Sequence, residues 1–106
     1  MYYKLVGEMP VKCSREEHME WMGTLGNSCT KQIDYTSVDK IGVSTVFLGL
    51  DHSVFLGLDH SWGGYRPLLF ETMIFGGEYD MYLERYTTYS EAVDGHQRAC
   101  KLAHKA

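Results

Sequence analysis

An eight-residue segment occurs twice in succession in this chain, and it limits the possible folds more than any other feature. Residues 46–53 and residues 54–61 both read VFLGLDHS. The unit is too short for a solenoid or propeller repeat, which needs roughly 20–50 residues. It has the length of one strand and a turn, and its β-branched and apolar residues predict a strand over residues 43–50, buried on both faces or nearly so. The repeat therefore indicates that one central strand is duplicated.

The duplication preserves the facing of every side chain, because strand side chains alternate with a period of two and eight is even. Three arrangements remain open. One copy forms the strand and the other a longer loop, the two copies pair as a hairpin around residues 51–53, or a long strand projects and pairs with another protomer. An uncharged, β-prone segment such as VFLGL invites pairing when it is exposed. We therefore expect both copies to be buried, through dimerisation or strand swapping.

Two capping boxes predict the two helices of the chain. Ser14 and Glu17 introduce a helix over residues 15–25, and Thr88 and Glu91 introduce one that ends near His104. Alternating segments predict further strands over residues 2–8, 33–35, 68–75 and 79–86. The sequence therefore predicts a single α+β domain over residues 1–106. We expect a small antiparallel sheet of about four to five strands with two helices on one face, in the order β-α-β-β-β-α with a duplicated central strand.

The composition excludes several classes of partner. The net charge is −4 and the ten basic residues are scattered, which disfavours nucleic acid because phosphate binding needs clustered Lys and Arg. No apolar stretch approaches the roughly 20 residues of a membrane helix, and the first residues lack a signal-peptide layout. Three cysteines without a CxxC motif are typical of free thiols. We expect a cytoplasmic protein with no membrane partner and no cofactor.

A small set of carboxylates and imidazoles could support chemistry. Asp51-His52 recurs as Asp59-His60, and both residue types bind metals. A metal site is possible if the strand and the last helix pack together. Its candidate ligands are His52, His60, Glu71 and His96. Turn formation by Asp-His-Ser and ordinary core packing of His96 explain the same residues more simply.

Aromatic residues are abundant near the predicted turns and the last hairpin. Tyrosine and tryptophan are enriched at protein interfaces, although cross-strand aromatic pairing explains their presence equally well. We combine them with the apolar residues of the second repeat copy as interface candidates. These candidates are Val54, Phe55, Leu56, Leu58, Trp62, Tyr65, Tyr82 and Tyr86.

Three segments carry a resemblance to a known group of proteins. They are VSTVFLGLDHS at residues 43–53, PLLFETMIFGG at residues 67–77 and ERYTTYSEAVDGH at residues 84–96. With them the chain resembles a family of small bacteriophage or prophage proteins of unknown function. The family pattern has the strand once, so the chain departs from it by the duplication. The resemblance implies a phage origin and location in the host cytoplasm.

Two hypotheses about function follow. The first is a non-enzymatic phage accessory protein that acts by protein–protein binding. It forms a homo-oligomer through the duplicated strand, or it inhibits a host or defence protein in the manner of an anti-CRISPR protein. The alternative is a small metal-dependent or acid–base enzyme that uses the Asp-His pairs, Glu71 and His96.

Overall fold

The computed structural model describes residues 2–23, 31–51 and 66–105, and it confirms the α+β class with two helices and an antiparallel sheet. A four-stranded sheet lies beside a separate two-stranded sheet. The elements are β1 Tyr2–Val6, β2 Met9–Cys13, α1 Arg15–Gly23, β3 Lys31–Val38, β4 Ile41–Phe47, β5 Phe70–Phe75, β6 Leu83–Tyr86 and α2 Tyr89–Lys105.

The first strand belongs to a hairpin that the sequence did not predict. β1 pairs antiparallel with β2, and Gly7 takes a positive φ of 64° in the two-residue turn between them. Glycine adopts this conformation without steric cost. Pro10 lies within β2, beyond the strand predicted over residues 2–8. A two-stranded sheet has only edge strands, and these tolerate a residue without an N–H group.

The larger sheet has the strand order β3-β4-β5-β6, with every neighbouring pair antiparallel. β3 spans eight residues, more than the short segment predicted, and a register shift between Gln32 and Asp34 interrupts its pairing with β4. β6 is shorter than predicted because a turn with positive φ at Gly76, Gly77 and Met81 precedes it. The sheet is therefore a meander in which neighbours in sequence are neighbours in space.

α2 covers one face of this sheet, since it contacts β3, β4, β5 and β6. The buried side chains of β4 and β5 alternate, so β4 is buried on one face and partly exposed on the other. No residue of β4 is fully exposed, which agrees with the expectation of a strand buried on both faces or nearly so. Ala92 and Ala99 let the helix approach the strands closely, because their side chains are small and fully buried. Among the described helices, none is both long and apolar enough to cross a membrane.

The capping boxes confirm where both helices begin. The Glu17 amide donates to Ser14 Oγ at 3.1 Å, and the Glu91 amide donates to Thr88 Oγ1 at 3.1 Å. The Glu91 carboxylate accepts in return from the Thr88 amide at 3.1 Å. Each box thereby satisfies amides that have no partner within the helix.

The first repeat copy is integrated into the fold from Val46 to Asp51. Val46 and Phe47 complete β4, and the Leu48 amide donates to the Leu69 carbonyl at 2.7 Å. The Gly49 carbonyl accepts from the Tyr3 amide at 2.9 Å, which joins β1 to the end of β4. Asp51 is 2% exposed, and its Oδ1 accepts from the Leu68 amide at 3.0 Å. The predictions for the second copy, Val54–Ser61, fall outside the described residues.

Candidate functional site

A layer of polar side chains lies between α2 and the sheet, and it separates two apolar clusters. Its centre is His96, which is 3% exposed. His96 Nδ1 lies 2.6 Å from Thr45 Oγ1, and Thr45 Oγ1 lies 2.5 Å from Thr72 Oγ1. On the other side of the ring, Nε2 lies 2.9 Å from Thr36 Oγ1 and 3.5 Å from Asp34 Oδ2. His96 therefore joins the helix directly to β3 and β4, and to β5 through Thr45.

The geometry of the layer favours one tautomer of His96. The carboxylate of Asp34 can only accept, so a proton on Nε2 is the favourable arrangement. Nδ1 then accepts a hydrogen bond from the Thr45 hydroxyl, and Thr45 in turn accepts from Thr72. This hydroxyl–imidazole–carboxylate sequence resembles a nucleophile and its base. Thr45 and Thr72 are fully buried, however, so the described fold gives a substrate no route to either hydroxyl.

Tyr86 extends the buried polar region toward β6. Its side chain is 5% exposed, and its hydroxyl has no hydrogen-bond partner among the described residues. Burial raises the pKa of Tyr86 to about 12, because the phenolate would be poorly solvated there. The ring packs against Gly95 of α2, where a Cβ atom would overlap the phenol. Gly95 is therefore required by close packing.

The predicted metal site is not assembled by the residues that the structure describes. Glu71 points away from α2, because it alternates with Thr72 along β5, and its carboxylate accepts from Arg85 Nε at 3.0 Å. His96 lies on the opposite side of the sheet. His52 and His60 fall outside the described residues, as does Asp59. Within residues 2–23, 31–51 and 66–105, no three His, Cys, Asp or Glu side chains are grouped to hold a metal ion.

The described interface candidates are less accessible than expected. Tyr86 lies in the core, so it presents no surface in this fold. Tyr82 packs against the cluster around Ile74, and its hydroxyl donates to Glu84 Oε2 at 2.7 Å. The other six candidates are outside the described part of the chain. They are Val54, Phe55, Leu56, Leu58, Trp62 and Tyr65.

The face of the four-stranded sheet opposite α2, here called the open face, carries an apolar surface that the sequence analysis missed. The strand register places Tyr35, Ser44, Met73 and Leu83 in one row across it. Phe75 follows on β5 with the same facing. Tyr35 is 57% exposed, Phe75 47% and Leu83 38%. Solvated faces of antiparallel sheets normally carry polar residues, so this one is unusual.

The next row of the open face contains the ion pair between Glu71 and Arg85. Gln32, Val46, Glu71 and Arg85 are register neighbours from β3 to β6. The side chains of Glu71 and Arg85 are 18% and 25% exposed, so the pair is partly shielded from water. Gln32 is fixed by donating to the Thr45 carbonyl at 2.9 Å and to Ser44 Oγ at 3.2 Å. The face is therefore apolar at its centre and electrically balanced.

A groove of about 320 Å³ lies between β1 and α1. Trp21 forms its apolar wall, and Lys4, Glu17 and Glu20 surround it. Lys4 Nζ lies 3.5 Å from Glu17 Oε2. The hydrogen bond at Ser14, followed by Lys4, lowers the pKa of Glu17 below its usual value. Lys4 and Glu17 therefore form an ion pair, and this pairing explains two of the charged residues in the groove.

Comparison of the chain with protein-family models, with curated protein sequences and with solved structures finds no match. The residues and their geometry are therefore the grounds for assigning a function.

Proposed function

We propose that this chain is a non-enzymatic binding protein whose partner is a second copy of itself, and that the duplicated segment contributes to this self-association. The observation that carries the proposal is that the first repeat copy alone fills its position in the fold. Val46–Asp51 make contacts with β1, β5 and the approach to β5, so the identical second copy is not needed for the β4 strand.

The ends of the connection between β4 and β5 support the inference that the second copy is not needed for β4. Asp51 and Leu68 are joined by a hydrogen bond of 3.0 Å, and Leu48 and Leu69 by one of 2.7 Å. The two ends of the connection, Asp51 and Leu68, therefore lie next to each other. A connection whose ends are held together in this way accepts additional length at small entropic cost. The duplication is accommodated by the connection, and the sheet stays as it is.

Exchange of the two copies within β4 is opposed by the residues that precede them. If the second copy moved into the β4 position as a continuous strand, Asp51 would replace the fully buried Val43. Leu50 would also replace Gly42, and its side chain would displace the exposed end of the Tyr35 side chain, which is a smaller cost. Burial of an unpaired carboxylate is strongly unfavourable. The buried positions of β4 therefore favour the first copy over the second.

The proposal is tested by the oligomeric state of two chains, the full sequence and a shortened chain without Val54–Ser61. Removal of either repeat copy yields the same shortened sequence, so the comparison is unambiguous. Sedimentation velocity over a range of concentrations measures the assembly, and circular dichroism shows whether the domain is folded. We expect the full chain to self-associate and the shortened chain to remain folded with weaker association. A full chain that is monomeric at every concentration would refute self-association.

A host or defence protein is the second class of partner that we propose, by an anti-CRISPR-like inhibition. The resemblance to small phage proteins and the net charge of −4 support it, since an acidic domain can occupy the nucleic-acid-binding surface of a host protein. Affinity purification from a bacterial lysate tests this part separately. Recovery of one specific host protein in stoichiometric amount is the expected result. If no specific host protein is recovered, the host partner is refuted and only the proposed self-association remains.

A further inference from the structure

We propose that the open face is the surface on which two copies of the chain meet, face to face about a two-fold axis, with Arg85 of each copy placed near Glu71 of the other. This inference rests on the proposed self-association and names the surface and the partner. It does not require any contact from the second repeat copy.

The apolar part of the open face supplies the area for such a contact. Tyr35, Phe75 and Leu83 are large, exposed and on the same side of the sheet, with Met73 between them. The Tyr35 side chain lies over Gly42, the position in β4 that has no side chain of its own, so it partly fills the gap there. α2 packs against the other face of the sheet, and no described helix or strand packs on this face. Two such faces can stack as the sheets of a sandwich do, about 10 Å apart.

The charges of the open face argue for a second copy and against a strongly charged partner. Glu71 and Arg85 are one carboxylate and one guanidinium, side by side on neighbouring strands. A two-fold axis that runs parallel to the strands, between β5 and β6, places Glu71 of each copy opposite Arg85 of the other. A face with this pattern is complementary to itself, which is the requirement of an isologous interface. A surface built for a basic or an acidic partner would instead carry an excess of one sign.

The dimensions of the face set the expected strength. With this axis, β5 and β6 of each copy lie over β6 and β5 of the other, and two strands about 4.8 Å apart and about six residues long give a contact of roughly 10 Å by 20 Å. This lies at the small end of specific interfaces, which corresponds to weak or transient association. We therefore expect a weak dimer whose population rises with protein concentration.

The test uses two charge variants that oppose themselves and complement each other. Glu71→Arg leaves two positive charges on the open face, and Arg85→Glu leaves two negative charges. Each variant alone is expected to dimerise at least about tenfold more weakly than the wild type, because like charges meet across the axis. An equimolar mixture is expected to recover association as a heterodimer. Sedimentation velocity with one variant fluorescently labelled measures both quantities.

A matched control pair lies elsewhere on the surface. Glu84 and Arg98 form an ion pair between β6 and α2, away from the open face. Glu84→Arg and Arg98→Glu change the net charge of the chain by the same amounts, so they report the general effect of charge. We expect these variants to associate like the wild type, alone and mixed.

The possible results separate this inference from the proposed function. A wild type that never associates overturns both. A wild type that dimerises, with Glu71 and Arg85 variants that dimerise equally well, overturns the choice of surface and leaves self-association intact. If each variant alone dimerises more weakly than the wild type and the equimolar mixture associates no more strongly, the two-fold pairing of charges is overturned. If either variant does not fold, Phe75→Glu and Phe75→Lys repeat the mixing test at an exposed position, with Val93→Glu on α2 as the control.

Discussion

The two repeat copies give the chain an internal control, because the same substitution can be made in identical local sequences. Phe47 of the first copy is fully buried, with its ring centroid 5.2 Å from that of Phe70 and 5.5 Å from that of Trp21. Phe47→Ala removes this core side chain, and we expect it to cost about 3–5 kcal/mol of unfolding free energy. Phe55→Ala is expected to cost under about 1 kcal/mol, because Phe47 occupies the core position.

The magnitude depends on whether the second copy can replace the first. Slippage of the whole strand by eight residues would restore a phenylalanine at the core position. It would also bury Asp51 in place of the fully buried Val43, and Leu50 would displace the exposed Tyr35 side chain at a smaller cost. We expect these penalties to exceed the few kcal/mol gained by filling the cavity. Phe47→Ala should therefore be as damaging in the full chain as in the shortened chain, where no second copy exists.

Urea denaturation of four chains measures this comparison, namely the full and shortened sequences with and without Phe47→Ala. The unsubstituted shortened chain should be more stable than the full chain by about 0.6 kcal/mol, because the deletion halves the connection between Asp51 and Leu68 from sixteen residues to eight. Dilute protein is used so that self-association does not contribute. If Phe47→Ala costs the full chain at least about 1 kcal/mol less than the shortened chain, the second copy does replace the first and the assignment of the repeat is refuted.

Three further substitutions test the interface between α2 and the sheet. Thr45→Val keeps the shape of the side chain but removes a hydrogen-bond partner of His96 and Thr72, so we expect a loss of about 1–3 kcal/mol in urea denaturation; an unchanged midpoint would contradict the described network. Gly95→Ala should destabilise by about 1–2 kcal/mol because its methyl group overlaps the Tyr86 ring, even though alanine favours helices; a more stable variant would show that the ring can move. The pKa of Tyr86 is raised to about 12 from 10.0, so the folded chain retains this proton longer and stability should fall by roughly 2–3 kcal/mol between about pH 10 and pH 12. Tyr86→Phe should flatten that part of the stability profile and be neutral or slightly stabilising near pH 7, and an identical alkaline profile in both proteins would disprove the assignment.

The sequence predicted the fold class and the start of both helices because capping boxes and long alternating segments are local signals. It did not predict β2 or most of β3, because these strands lack strong local signals. β3 is rich in polar residues, and its pairing with β4 determines its structure more than its own composition does. Neighbouring strands can override a weak local pattern, and a single sequence does not display them.

The two faces of β5 illustrate what the sequence left undecided about the site. Both faces contain large apolar residues, so hydrophobicity alone did not show which one α2 covers. In the structure α2 covers the face that carries Thr72. The Thr72 hydroxyl is hydrogen-bonded to Thr45, and Thr45 is hydrogen-bonded to His96 of α2. Phe75 on the other face is consequently left exposed. A buried histidine opposite two threonines was a readable signal, but only once the register of β4 and β5 is known.

The open face is tested most directly by hydroxyl-radical footprinting of the full chain at increasing protein concentration. Oxidation of Phe75 and Leu83 reports this face at β5 and β6, and Val93 on α2 and Met9 on β2 serve as exposed references. If two copies meet through the open face, Phe75 and Leu83 become protected as concentration rises and the references do not change. If the oxidation of Phe75 and Leu83 does not change with concentration, in a sample that sedimentation shows to be dimeric, this account is contradicted.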